Sequence, residues 1–277
     1  MYTARIAALL EPFLEQPLAP SQLDQISTYI DLLLRWNARI NLTAIRKEEE
    51  IVTRHFGESF FLASHLFPKR VARTLLSANA DGAQPLEDSQ PSTPCRPERS
   101  QDMREAHVLA ESKDPYTCSA PAPPQGVLAV SSNSPRVLDI GSGAGFPALP
   151  IKIWAPQIHL TLIESNHKKA AFLREVVRAL TLTNVDVITD RAEILAASPD
   201  VPKADLVTLR AVERFDEILP SAVAFLAPKA SLALLISAAQ LPKIPILNKL
   251  SWYPQINVPK SHSRVLLIGY PPSAGTK

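Results

Sequence analysis

The sequence is poor in the residues that fix small secreted folds. It holds two cysteines, Cys95 and Cys118, in 277 residues. That is too few for a disulfide framework, and neither has close Cys or His partners for a zinc site. Glycine is scarce, at 8 residues, so each glycine should have a local reason. Aromatics make up only 6%, so the core is expected to be aliphatic. A net charge of +2 does not by itself describe a strongly basic nucleic-acid binder. Long apolar runs are missing too. The first residues, MYTARIAALLEPFLEQP, meet Glu11 and Pro12 early, which reads as no signal peptide. The most apolar stretch, 218–242, is interrupted by Pro220, Pro228 and Lys229, which reads as no membrane span. A soluble cytoplasmic protein with no metal site is the expectation.

What is present is a large buried fraction and an excess of proline. Hydrophobic residues reach 46% and charged residues 20%, enough to bury a core. There are 26 prolines, about 9% against a usual share of about 5%. Residues 77–135 hold nine prolines and nine serines with no sustained period of 2 or 3.6. Such a segment cannot bury enough apolar surface to offset its ordering entropy. It is expected to be a disordered or loosely attached insertion, with at most a short helix at 102–112. Both cysteines lie in it. Charge divides the same way: residues 1–76 carry 9 basic and 8 acidic side chains, 77–135 carry 4 and 8, and 136–277 carry 16 and 11. A mildly basic body therefore sits beside an acidic segment.

Residues 1–76 read as a helical region. Ser21 is a candidate N-cap for a helix to about residue 39, with Ile26, Tyr29, Ile30, Leu33 and Leu34 on one stripe. A second helix is expected over about 48–66, with the polar piece NARINLTAIR (37–46) between. From residue 136 the chain alternates. RVLDI, IHLTLIE, VDVIT, ADLVTL and SLALLI read as strands. Helices are expected at about 147–154, 167–180 and 215–226. This rhythm predicts an α/β, Rossmann-like domain over 136–277, with a parallel sheet covered on both faces. RVLLIGY at 264–270 can add an antiparallel edge.

The chemistry is concentrated at Val137-Leu-Asp-Ile-Gly-Ser-Gly-Ala-Gly-Phe-Pro147. Gly141, Gly143 and Gly145 follow a strand and open a helix, where glycine permits both a tight turn and the close approach of a ligand. The spacing is G-x-G-x-G, with Phe146 where a dinucleotide fingerprint would place its last Gly or Ala. Asp139 puts an anion beside the loop. That suits a ligand with a cationic amino group, such as S-adenosylmethionine, better than a pyrophosphate. Glu164, at the end of the second strand, can accept hydrogen bonds from ribose hydroxyls, or it can belong to the cap of the next helix. Ala192 and Glu193, after the third strand, can reach an adenine, or they can be a solvated helix start. Arg210 ends the fourth strand, where a reacting methyl would lie, or it is a rim residue. No Asp/Asn-Pro-Pro-aromatic motif follows that strand, which disfavours methylation of exocyclic base amines.

Taken together the chain resembles the bacterial 16S (small-subunit) ribosomal RNA guanine-N7 methyltransferases, once called glucose-inhibited division protein B. The resemblance rests on Trp36-Asn37, Asn41-Leu-Thr43 with Arg46, Arg54-His55 with Ser59, the stretch Asp139 to Pro147, Arg191-Ala-Glu193 and Arg210-Ala211. It covers about residues 20–76 and 136–237. It implies a class I S-adenosylmethionine-dependent methyltransferase with an N-terminal helical extension. The implied cofactor contacts are Gly141, Phe146, Ala192, Glu193 and Arg210, and Arg46, Arg54 and His55 would face RNA. Helix caps or internal ion pairs are the alternative roles for those three. Three departures stand out. The connector before the first strand is long, Glu58 replaces the family's usual Asp, and Ser237-Ala238 replaces a frequent Lys-Gly.

Guanine N7 is an exposed lone pair on the major-groove edge. Its attack on a sulfonium methyl needs alignment rather than acid–base help, in keeping with the lack of an evident His/Asp or Cys/His pair. Arg210, beside the methyl, is the candidate catalytic residue, and the 16S ribosomal RNA or the small ribosomal subunit is the implied partner. Two other readings compete: a methyltransferase of the same fold with another acceptor, and a non-catalytic ribosome-binding relative.

Overall fold

A computed structural model describes residues 3–68, 134–210, 215–247 and 250–272. The expected Pro/Ser-rich insertion, apart from Ser134 and Pro135, both cysteines and the short helix at 102–112 lie outside the described residues. So does Ala211.

An eight-stranded sheet organises the described part, in the order β3-β2-β1-β4-β5-β8-β6, with the short β7 also pairing β8. Strands β1 (Arg136–Ile140), β2 (His159–Ile163), β3 (Val185–Ile188), β4 (Ala204–Arg210) and β5 (Leu226–Ser237) run parallel. β8 (Arg264–Tyr270) closes against β5 antiparallel. β6 (Ser251–Trp252) and β7 (Ile256–Asn257) pair with β8. The order reverses between β1 and β4, so the ends of those two strands flank the switch point where ligands bind in open α/β sheets.

The alternation of side chains divides the core in two. Val137, Leu160, Leu162, Ala233, Leu235 and Leu266 belong to one apolar cluster. Leu138, Ile140, Ile163, Leu232, Leu234 and Leu267 belong to the other. The second face is covered by α7 (Ala192–Ala196) and α8 (Phe215–Ala224), which deliver Ala192, Leu219 and Ala222. The first face is covered by α5 (Ala148–Trp154) and α6 (His167–Ala179), and over these lie the N-terminal helices α1 (Thr3–Leu10), α2 (Pro20–Asn37), α3 (Glu48–Glu50) and α4 (Glu58–Leu66). The helical region and the sheet share one continuous core, with Ile26, Ile30 and Phe60 packed in the same cluster as Leu149 and Phe172.

Two helix details depart from expectation. α2 starts at Pro20, and its N-cap is Ala19, not Ser21. The Ala19 N–H donates to the Gln22 side chain at 2.9 Å, and proline is suited to the first helical turn. The helix expected over 48–66 carries a π segment, Ile51–Gly57, between α3 and α4. π turns are uncommon and frequent at functional sites. Sequence periodicity at 3.6 could not reveal it.

Candidate functional site

The loop after β1 is built for an approaching ligand. Gly141, Gly143 and Gly145 have φ of 67°, 55° and 85°, a region that side chains other than glycine disfavour. The last two serve different ends. A Cβ at Gly145 would collide with the Tyr29 hydroxyl and lie 2.6 Å from Leu149, so Gly145 is fixed by packing. A Cβ at Gly143 would meet nothing closer than the Gly141 carbonyl oxygen at 3.7 Å. The space over Gly143 is open, which is the cradle a ligand needs.

Two carboxylates flank the cradle. Asp139 is buried, and its Oδ1 accepts from the Thr208 hydroxyl at 2.6 Å. The parallel register sets Thr208 directly beside Asp139. Its Oδ2 is buried without a hydrogen-bond partner among the described residues. Burial, reinforced by Glu164, raises the Asp139 pKa to about 7, against the opposing bonds from Thr208 and Ser142. Such an oxygen is poised for a cation. Glu164, also buried, accepts from the Gly143 N–H through Oε2 and from the Asn166 N–H through Oε1, both at 2.8 Å. It thus stiffens the loop and the turn after β2. Asn166, rather than Glu164, caps α6 by accepting from Lys168 and Lys169 N–H groups. The lone pairs of Glu164 that remain are available to a ligand.

The other expected contacts separate into two groups. Ala192 is buried at the start of α7, and Glu193 beside it is exposed, so only the latter offers a free side chain. The Phe146 ring is buried among protein side chains. The ring stacks on Tyr29 at 5.3 Å and on His55 at 4.7 Å, with Phe56 edge-on at 5.0 Å. What Phe146 can offer a ligand is its main chain.

Arg210 joins the strand ends to the helical region. Its guanidinium pairs with Glu58 at 2.9 Å and donates to the Arg54 carbonyl at 2.6 Å. Both side chains of the pair are buried, 7% and 3% exposed. Burial, opposed by Glu58, lowers the Arg210 pKa to about 10, so it remains charged at neutral pH. The same guanidinium lies 3.3 Å from His55 Nδ1. Arginine can only donate, so Nδ1 accepts. Nε2, 2.8 Å from the Thr43 hydroxyl, then carries the proton of the neutral ring. Burial, with Arg210, Arg54 and Arg264, depresses the His55 pKa to about 3. Thr43 is held in turn by Asn37, whose side chain accepts from the Leu42 and Thr43 N–H groups and donates to the Thr43 carbonyl. Ser59 donates to the His55 carbonyl at 2.6 Å.

The pieces Trp36-Asn37, Asn41-Leu-Thr43 and Arg54-His55 therefore act largely as one support. It runs from Asn37 through Thr43 and His55 to Phe146 and Arg210. His55 is half-buried with both ring nitrogens engaged, unlike the outward-facing role the resemblance implied for it. Arg46 and Arg54 are exposed. Sequence reasoning missed two residues of the site: Tyr29, which donates to the Ala144 carbonyl, and Thr208, which donates to Asp139. A lone hydroxyl within an aliphatic helix stripe, and another within an apolar strand, were the available signals. Among the described residues no group of three His, Cys, Asp or Glu side chains is gathered to hold a metal. None of their helices is long and apolar enough to cross a membrane.

A family model described as rRNA small subunit methyltransferase G matches residues 22–75 and 125–248. The chain is 32% identical over 218 residues to the ribosomal RNA small subunit methyltransferase G of Roseiflexus castenholzii, covering 76% of this chain and 66% of that protein. It is 29% identical over 198 residues to the protein of that name from Bacillus subtilis, covering 71% of this chain and 56% of the relative. The Desulfitobacterium hafniense relative of the same name is 27% identical over 285 residues, 94% of this chain and 89% of its own length. The chain spans somewhat less than two thirds of the first two relatives. The model match covers more than half of the sequence, on the elements that build the glycine cradle and its support, and the chain belongs to the rRNA small subunit methyltransferase G family.

Proposed function

We propose that this protein is an S-adenosylmethionine-dependent methyltransferase that methylates N7 of a guanine in 16S ribosomal RNA, within the small ribosomal subunit or its precursor, in the cytoplasm. The observation that carries the reading is the open cradle over Gly143 between two buried carboxylates, in a chain of this family.

The residues fit the donor. Asp139 Oδ2, buried and without a hydrogen-bond partner among the described residues, is the acceptor for its ammonium end. Glu164 offers lone pairs to its ribose. Glu193 and the main chain at Ala192 are the candidate adenine contacts, and the backbone of Gly141, Gly143, Gly145 and Phe146 forms the cradle. When bound, S-adenosylmethionine supplies a methyl on a positively charged sulfur. The task left to the protein is to place the guanine N7 lone pair in line with that methyl. N7 carries no proton, so no general base is required, and neutral, fully engaged His55 is consistent with this. Alignment of this kind can supply several kcal/mol of rate enhancement. Arg210, tied to Glu58 and the π segment, couples the β4 end to the helical region and sets the acceptor side of the site. Because N7 gains positive charge on methylation, a guanidinium aimed at N7 would oppose the step. Arg210 therefore acts through O6, through phosphate or by positioning the segment, and exposed Arg46 and Arg54 are the candidate RNA contacts.

The test pairs calorimetry of S-adenosylmethionine binding with methyl transfer to small subunits that lack the modification. Binding together with transfer supports the proposal. Binding with transfer only to another acceptor identifies a methyltransferase of different specificity. Binding to subunits without transfer identifies a non-catalytic relative, a reading favoured only by the Ser237-Ala238 departure.

A further inference from the structure

The π segment has a second side. Its inner face touches Phe146 and Arg210. Its outer face, with Thr53 and Arg54, lines a separate pocket of about 340 Å³, against the α1 end and the turn before β8. Leu9 and Phe13 form an apolar wall. Phe13 can sit there because residue 57 is glycine: a Cβ at Gly57 would lie 2.7–2.9 Å from three Phe13 ring carbons. Lys260 also lines the pocket and has φ of 57°, a strained conformation for lysine of the sort that collects at functional positions.

The charge of this pocket is unbalanced. Arg54 and Lys260 make no ion pair among the described residues. The carboxylate that reaches the pocket, Glu58, is already bound by Arg210 at 2.9 Å. An apolar wall with two uncommitted cations facing it fits a ligand with a flat apolar body and an anionic group. The volume lies within the roughly 300–1,000 Å³ of small-ligand sites. One Arg–Glu pair separates this pocket from the β4 end.

We infer that the pocket seats one nucleotide of the RNA substrate adjacent to the methylated guanine, its base or sugar on the Leu9–Phe13 wall and its phosphate between Arg54 and Lys260. This rests on the proposed rRNA methyltransferase activity and adds to it a second recognition point, outside the donor cradle. Seating there would bear directly on Arg54, whose carbonyl holds Arg210. Occupancy of the pocket would thus be communicated to the acceptor side of the reaction site.

The experiment uses the full chain, small ribosomal subunits that lack the modification and two surface variants, Lys260→Glu and Ala8→Trp. The second fills the mouth of the pocket without changing charge. Affinity is measured from 50 to 200 mM salt, with S-adenosylmethionine calorimetry in parallel. Lys260→Glu is expected to weaken RNA binding roughly three- to tenfold and to flatten the plot of log K against log salt by roughly 0.7 per lost phosphate contact. Ala8→Trp should also weaken binding and flatten that slope, although it removes no cation, while donor affinity stays at the wild-type value in both. If wild type binds and Ala8→Trp matches it in affinity and slope, the pocket is not a nucleotide seat, whatever Lys260→Glu does. If wild type itself fails to bind the subunits, the functional proposal falls and the pocket assignment with it.

Discussion

Removing the Arg210 guanidinium should unsettle the fold before it reveals any chemistry. In Arg210→Ala, Glu58 is left 3% exposed with its charge partner gone, and the Arg54 carbonyl loses a 2.6 Å donor. Breaking one side of a buried pair costs about 3–5 kcal/mol, because the surviving charge stays buried. A typical domain has about 5–15 kcal/mol in all. At about 2–4 °C per kcal/mol for a chain of this size, the melting midpoint should fall by about 6–20 °C. Arg210→Lys should recover little, since one ammonium cannot span Glu58 and the Arg54 carbonyl as the planar fork does. The double variant Glu58→Leu/Arg210→Met should regain at least half of the loss, because apolar replacement of a buried pair is often neutral or stabilising. Urea unfolding of wild type, Arg210→Ala, Glu58→Leu, Arg210→Met and the double variant closes the cycle. Losses below about 1 kcal/mol for Arg210→Ala, or a double variant equal to the sum of its singles, would show that Arg210 and Glu58 are not a coupled buried pair.

Three further outcomes are expected. Glu164→Ala should weaken S-adenosylmethionine binding by about 1–3 kcal/mol and, since Glu164 also holds the Gly143 and Asn166 N–H groups, should lower stability measurably; unchanged affinity by calorimetry would reduce Glu164 to a loop brace. Asp139, with a pKa raised to about 7, favours the folded state at low pH, and this contribution should fade as pH rises from about 4 through 7; binding a cationic donor favours the ionised form, so calorimetry near pH 6.5 in buffers of different ionisation enthalpy should detect proton release for wild type and none for Asp139→Asn. Replacing most of residues 77–133 by a short Gly/Ser bridge should leave donor affinity within twofold, and a large fall in melting temperature would contradict that.

The parts of the architecture that sequence reading reached are those governed by local periodicity. RVLDI, IHLTLI and ADLVTL announced parallel strands through continuous apolar character, and the three glycines announced the turn because no other residue adopts φ near 55–85° there without strain. Asp139 and Glu164 stood out in the sequence because the first lies near the end of β1, just before the glycines, and the second directly follows β2. What escaped depends on contacts between distant segments. Nothing local in Ile51–Gly57 signals a π turn. The Arg210–Glu58 pair joins residues 152 positions apart, and Glu58 stood out in the sequence only as a departure from the family pattern. The inward placement of His55 escaped for the same reason, since its partners are Phe146, Thr43 and Arg210. Two of these three lie on other elements that only the fold brings together.

The proposed activity requires transfer of a methyl from S-adenosylmethionine to guanine N7 in 16S ribosomal RNA. Its most direct test incubates the full chain with isotopically labelled S-adenosylmethionine and small ribosomal subunits lacking the modification, then digests the rRNA to nucleosides for mass spectrometry. Labelled 7-methylguanosine is the expected product, near one per subunit, abolished when the subunits are already modified. Label recovered in another nucleoside, in protein or nowhere, from a preparation that binds the donor, would contradict it.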